Sequence, residues 1–331
     1  MIRFLHAAAL LALASAAHAQ PKPQPLPAPP AEPPTPASIV ADAPASDWRP
    51  IDPADLLVME LAPGRSGEER RVVIQLLPPP FSADWVNNIR TLARAHWWDG
   101  TSVYRVVDNW VAQWGAGEDE DGRAAPLPPG LVNVPESAYV TPVRPGPEDG
   151  RDFVLTPRRE EVMVNRWIDP YAITAFVAGW PVGLDDSGGR TAWPVHCYGS
   201  VGVARDLSPD TGTGAELYAV IGHAPRQLDR NIAVVGRVIE GIEHLATLPR
   251  GTGEAGVYAD RAQRVPILRV RPGDELAPGD LPAFEYLATD SASFARYLQV
   301  RANREDAFYK VPAGGVDVCN VQVPVRRAAA G

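Results

Sequence analysis

Lysine is nearly missing from this chain. Lys22 and Lys310 are the only two, every other basic residue is arginine, and 31 basic against 40 acidic residues leave a formal net charge of -9. The arginine skew reads as compositional bias, and the acidic balance argues against a general nucleic-acid binder. Histidine is scarce too. Past the first twenty residues only His96, His196, His223 and His244 remain, no two at metal-ligand spacing, so no metal is expected. Glu240 and His244 are read as a solvated pair on one helical turn. Beyond the N-terminus no apolar run is long enough to span a membrane, and no internal repeat is present. Cysteine is limited to Cys197 and Cys319.

What is present starts with "MIRFLHAAALLALASAAHAQ": a basic residue at Arg3, an Ala/Leu run, and the small-residue site Ala17-His18-Ala19. That is the pattern of a secretory signal peptide, residues 1–19, cleaved after Ala19. Its apolar run is shorter than the roughly 20 residues a membrane anchor needs. A secreted, periplasmic protein is expected. Export would place both cysteines where disulfides persist, favouring a Cys197–Cys319 bridge that ties the C-terminal tail to the body over two unpaired thiols. Residues 20–47 are dominated by Pro and Ala, without periodicity, and read as a stiff, extended spacer.

The remainder, in a chain of 331 residues with 45% hydrophobic content, is long enough to bury a sizeable core. "DLLVMEL" and "RRVVIQLL" form a hairpin pattern around a glycine-bearing turn. "FSADWVNNIRTLARAHWW" places Trp85, Ile89, Leu92 and Ala93 on one helical face, with Ser82 as N-cap. Residues 116–195 are rich in Pro, Gly and charge and read as long loops with a few strands. "HCYGSVGVAR", "AELYAVIG", "IAVVGRV" and "RVPILRV" read as strands, "IEGIEHLATL" as a short helix, and Leu281 to Arg301 as partly helical. Many short strands with few helices point to a closed or nearly closed β architecture.

The usual catalytic devices are missing. "GTGEAG" at Gly251–Gly256 has the glycine spacing of a dinucleotide site but follows a helix and Pro249, so it is a turn. "YGSVG" lacks the spacing of a nucleophile elbow, which leaves Ser200 and His196 as a poor hydrolase pair. Asp185-Asp186 and the acidic run Glu118–Asp121 read as loop and turn.

One hairpin stands apart. In "SVYRVVDNWVAQW", alternation puts Val103, Arg105 and Val107 on one face of the first strand. A two-residue turn of Asp108 and Asn109 would set Arg105 opposite Ala112 with Gln113 facing the other side; a three-residue loop of Asp108, Asn109 and Trp110 would instead pair Val107 with Val111 and Arg105 with Gln113. A guanidinium and an amide would lie beside an apolar shelf.

The segment "WWDGTSVYRVVDNWVAQWG" resembles the cyclophilin pattern "YDGTxFHRVIxxFMxQGG". "GSVGVARDLSPDTGTGAELYAVIGHAPRQLDRNIAVVGRVIEG" resembles the later "GxxSMAxxxxxxxxSQFFI" and "LDGxxxVFGxVxxG", and the order of elements agrees from about Asp55 to Val270. The resemblance implies a mainly β fold: a closed eight-stranded antiparallel β-barrel capped by two α-helices, spanning residues 48–271 with 116–195 as a long loop insertion. Residues 272–331 would be a C-terminal extension packed on it. It implies peptidyl-prolyl cis/trans isomerase activity on proline-containing polypeptides, with no cofactor.

By position, Arg105 matches the catalytic arginine and Gln113 the glutamine that positions it. Trp110 and Val111 fall where the family has Phe and Met. Ala204, Arg205 and Asp206 match the strand-loop that binds the peptide backbone, and Tyr218, Leu228 and Ile232 fall on pocket positions usually held by Phe, Leu and His. The chain departs from the pattern at Tyr104 and Gln227, and at Glu216, which replaces a glutamine at the substrate site. Glu216 is expected to sit near Arg105 and pair with it, weakening its grip on substrate. The competing reading is a non-catalytic proline-peptide-binding or scaffold module of the cell envelope.

Overall fold

The structure, a computed structural model, describes residues 32–117, 126–145, 153–155, 164–185 and 190–328. The expected signal peptide and the acidic run at 118–121 lie outside the described residues. The chain divides after Pro33, and the body begins at Pro34.

The body opens with α1 (Pro36–Asp42) and β1 (Trp48–Pro50). The expected hairpin follows as β2 (Leu56–Leu61) and β3 (Arg70–Leu76), paired antiparallel. Period-two burial sends Leu57, Met59, Leu61, Val72, Ile74 and Leu76 into the main core. Next comes α2 (Ala83–Arg94), whose Trp85, Val86, Ile89, Leu92 and Ala93 face the same core, as the 3.6-residue spacing requires. Ser82 does occupy the N-cap position, but it adopts a left-handed conformation (φ 48°) and its hydroxyl caps nothing; only its carbonyl starts the helix, accepting from Val86. The hairpin of β4 (Ser102–Val106) and β5 (Val111–Gly115) follows.

Residues 116–195 depart from expectation. Instead of long loops with a few strands they carry, among the described residues, six strands, β6 (Thr141–Pro145), β7 (Phe153–Leu155), β8 (Val164–Ile168), β9 (Ile173–Val177), β10 (Trp180–Asp185) and β11 (Thr191–Pro194). These make one antiparallel sheet in the order β7-β6-β11-β10-β9-β8. Ala175, Val177, Val182, Leu184 and Ala192 join the barrel's core, while Phe176, Trp193 and Val195 on the other face join a second core with Leu287 and Phe294. A strand buried on both faces, as β9, β10 and β11 are, has no polar alternation, which is why the pattern showed only a few strands and no sheet.

The chain then returns to the barrel through β12 (Ser200–Val203), β13 (Leu217–Val220), β14 (Val234–Glu240), the single-turn α3 (Glu243–Ala246) and β15 (Val265–Pro272). The eight-stranded barrel closes in the order β12-β13-β5-β4-β15-β2-β3-β14, every neighbour antiparallel. Of the two expected capping helices, α2 is full length and α3 is one turn contributing Leu245 to the core. Glu240 ends β14 and pairs with Arg327, so it does not share a helical turn with His244.

Last come β16 (Phe284–Leu287), α4 (Ala292–Ala302) and β17 (Val325–Arg327). β16 pairs with both β1 and β17 in a three-stranded sheet. Ile39 of α1 is buried with Phe294, Tyr297 and Leu298 of α4, so the spacer expected over 20–47 carries a packed helix at its C-terminal end. The signal lay in Thr35 and Ser38, whose side chains form a reciprocal capping box with the backbone. Cys197 and Cys319 are joined in a disulfide with Cα atoms 5.0 Å apart.

Candidate active site

The β4–β5 hairpin turns through Asp108, Asn109 and Trp110. Val107 N–H donates to Val111 O at 2.8 Å, Asn109 takes a positive φ of 51°, and Arg105 is the register partner of Gln113. The three-residue turn read from the sequence is the one present. The strand alternation is not: the register slips between Val103 and Arg105, so Tyr104 is an extra residue. This β-bulge sends Val103 into the core yet leaves both Tyr104 and Arg105 able to reach the Gln113 side chain.

The contacts form a chain of donors running in one direction. Arg105 Nη1 donates to Gln113 Oε1 at 2.8 Å, Gln113 Nε2 donates to the Tyr104 hydroxyl, and Tyr104 donates to Glu216 Oε2 at 2.9 Å. Glu216 Oε1 in turn accepts from Gly117 N–H at 3.1 Å. Such a chain, positive at one end and acidic at the other, is mutually polarised. Burial raises the Glu216 carboxyl above its ordinary value, offset in part by the bonds from Tyr104 and the Gly117 and Ala116 amides. Burial, then the nearby Glu216, also push Tyr104 far up, so its phenol keeps its proton.

Glu216 therefore does not pair with Arg105, contrary to expectation. It anchors the far end of the chain. Arg105 is fixed instead by the Ala255 carbonyl, which accepts from Nε at 2.7 Å. That carbonyl belongs to the "GTGEAG" turn, which runs beside β4: Gly251 N–H donates to Val106 O and Tyr258 N–H to Tyr104 O. The turn reading was right; its hold on Arg105 had no local signal. With Nε and Nη1 engaged, Nη2 has no hydrogen-bond partner among the described residues. The Arg105 guanidinium also lies over the Trp110 ring, 5.3 Å from its centroid, and burial draws it below its ordinary value.

Beside the guanidinium is the apolar shelf. On β5 and β13, Ala112, Trp114, Leu217 and Ala219 face the core, so Val111, Gln113, Tyr218 and Val220 face the other way. Val111, Tyr218 and Val220 cluster there with Val107, Trp110, Ala204, Leu228 and Ile232, which brings together every apolar pocket residue expected from the sequence. A Cβ on Gly202, the register partner of Tyr218, would stand 2.3 Å from the Tyr218 hydroxyl, so a larger residue there would push the ring aside.

Arg205 and Asp206 stand apart from this cluster. Arg205 donates from Nε to Asn231 O at 3.0 Å and from Nη1 to Asp206 O at 2.6 Å, and Asp206 is exposed. Ala204 N–H is used in strand pairing, donating to Glu216 O. Ser200 and His196 do not pair: the Ser200 hydroxyl accepts from Cys197 N–H, while the His196 ring faces Asp229 and Tyr218.

A closed eight-stranded antiparallel barrel bearing an apolar pocket and a fixed arginine on its outer wall is a cyclophilin-like barrel. The family model described as "Cyclophilin type peptidyl-prolyl cis-trans isomerase/CLD" matches residues 70–271, and the chain belongs to that family. Family and fold support peptidyl-prolyl isomerase activity on proline-containing peptides. The crystal structure of cyclophilin AquaCyp293 from Hirschia baltica is similar at TM-score 0.58 and 23% identity, over 88% of this chain and 96% of that one. That span is longer than the family match, so the shared fold reaches beyond the barrel. A cyclophilin-type isomerase from Cryptosporidium parvum, solved in the presence of the dipeptide Ala-Pro, is similar at TM-score 0.35 and 11% identity, over 65% of this chain and 98% of that one. No curated protein matches the chain by sequence.

Proposed function

We propose that the protein accelerates X-Pro isomerisation in exported polypeptides by a non-covalent mechanism centred on Arg105. Rotating an X-Pro amide means giving up resonance against a barrier of about 18–20 kcal/mol, and it calls for no nucleophile or cofactor. The cluster of Trp110, Val111, Tyr218, Leu228 and Ile232 holds the proline ring. Arg105 Nη2 donates to the rotating carbonyl or to the proline nitrogen, whose lone pair becomes available as conjugation is lost. The donor accelerates the reaction to the extent that it binds the twisted amide better than either planar form.

The observation that carries this reading is the double tether of Arg105. Nε on Ala255 O and Nη1 on Gln113 leave one donor edge free beside an apolar pocket, with its orientation set before substrate arrives. Export is supported by the N-terminal leader pattern and by the Cys197–Cys319 disulfide. The test is isomerisation of an Ala-Pro peptide by the purified chain beside Arg105→Ala. The native protein should exceed the uncatalysed rate and the variant should lose about 100-fold in kcat/KM, the usual cost of one preorganised donor. Equal rates for the two proteins would overturn the role of Arg105.

A further inference from the structure

Behind the proline pocket lies a buried polar network that the isomerisation mechanism does not use. His196 is fully buried (0% exposed). Asp229 Oδ1 accepts from His196 N–H at 2.9 Å and faces Nδ1 at 3.0 Å. A carboxylate only accepts, so Nδ1 carries a proton, and on the far side of the ring Nε2 is hydrogen-bonded to the Tyr218 hydroxyl at 2.9 Å. The other Asp229 oxygen accepts from Arg226 Nε at 2.6 Å, and Arg226 Nη1 donates to Asp169 Oδ2 at 2.7 Å. Burial alone would pull the Arg226 guanidinium down, but its two carboxylate partners outweigh that and hold it above its ordinary value.

Asp169 is not part of the barrel. It sits at the tip of the β8–β9 hairpin of the insertion, where its Oδ1 accepts from Tyr171 N–H at 2.8 Å and Ala172 N–H at 2.9 Å. One carboxylate thus closes the hairpin turn and grips Arg226, while the Tyr171 ring lies over the same guanidinium, 5.0 Å away. Arg226 begins the 3-10 turn Arg226–Leu228, and Ile232 N–H donates to Leu228 O. The segment that Arg226 anchors therefore carries two pocket walls, Leu228 and Ile232, and the network's other end holds the third, Tyr218.

We propose that the insertion is a working part of the proline pocket: Asp169, through Arg226 and Asp229, positions the Leu228–Ile232 wall and the Tyr218 ring and so sets how tightly proline peptides are held. The proposal rests on the isomerase reading for its substrate class. Asp169 touches neither Arg105 nor Gln113, so it is a positioning residue whose loss acts on binding and spares turnover.

The test uses the full exported chain and an Ala-Pro peptide, reading KM and kcat by isomerisation, Kd by calorimetry, and amide exchange over 225–232. Asp169→Asn keeps the side chain's shape and removes the charge facing Arg226. KM and Kd should rise about fivefold, because only part of the worth of one charge-assisted hydrogen bond is transmitted to the pocket wall, with kcat within about twofold and faster exchange confined to 225–232. Tyr171→Ala, at an exposed position, should raise both about twofold without threatening the fold. Unchanged KM and Kd in a folded Asp169→Asn overturn the proposal. If that variant does not fold, unchanged Kd and unchanged exchange in Tyr171→Ala overturn it. An inactive native protein would sink the isomerase reading instead, and Kd would still decide the role of the insertion.

Discussion

A carboxylate taken out of water and given two or three hydrogen bonds holds its charge less firmly than one in solvent when those bonds do not offset the lost hydration. Glu216 is in that position, with a raised pKa. Its protonated form is favoured by the fold, so its stabilising contribution is complete below the ordinary carboxylate value of 4.5 and is lost as pH rises through the folded value. Glu216→Gln removes that slope: in thermal melts the native protein should lose ground to the variant as pH is raised from 4.5 to neutrality, and parallel melting curves would refute it. The same variant retains an acceptor for Tyr104, so kcat/KM should change by less than about threefold. Tyr104→Phe removes the link that Gln113 and Glu216 share, and should lower kcat/KM about tenfold with Arg105 still present.

At the scale of elements, two local irregularities build the site. The extra residue at Tyr104 turns a regular hairpin into one that offers a phenol and a guanidinium to one amide. Gly202 lets the Tyr218 side chain cross β12. Gly202→Ala should destabilise the protein by about 1–3 kcal/mol through overpacking and weaken peptide binding, both visible in a melt and a titration. Two turn lengths were open in "VVDNWV", and of the two only the three-residue one sets Arg105 opposite Gln113. The pocket residues were legible by resemblance. The bulge was not, since nothing in "SVYRVV" marks which residue is extra. Nor were the Ala255 carbonyl and the Asp169–Arg226–Asp229 chain, because contacts 57 and 150 residues apart leave no periodic trace. The insertion sheet hid for a different reason: burial of both faces erases the alternation that announces a strand.

At the scale of the whole molecule, the barrel core and the second core share the insertion sheet, with Ala175 and Val177 in one and Phe176 in the other. The disulfide joins positions 122 residues apart, from the entry to β12 to the C-terminal extension. Opening it by reduction should cost roughly 2–4 kcal/mol, read as a lower melting temperature, while the Arg105 tethers and isomerase activity persist at low temperature.

The second core draws on Ile39 near the start of the body and on Val318, Val321 and Val323 near its end, and β1 finds its partner strand only at Phe284–Leu287. A chain emerging N-terminus first can therefore assemble its barrel strands by Pro272 while α1 and β1 wait for their partners between Phe284 and Val323. Completion of the fold is in that sense a check on late synthesis: a product that stops short of these residues would present Ile39, Trp48 and the outer face of the insertion sheet to whatever proteases or chaperones patrol its compartment.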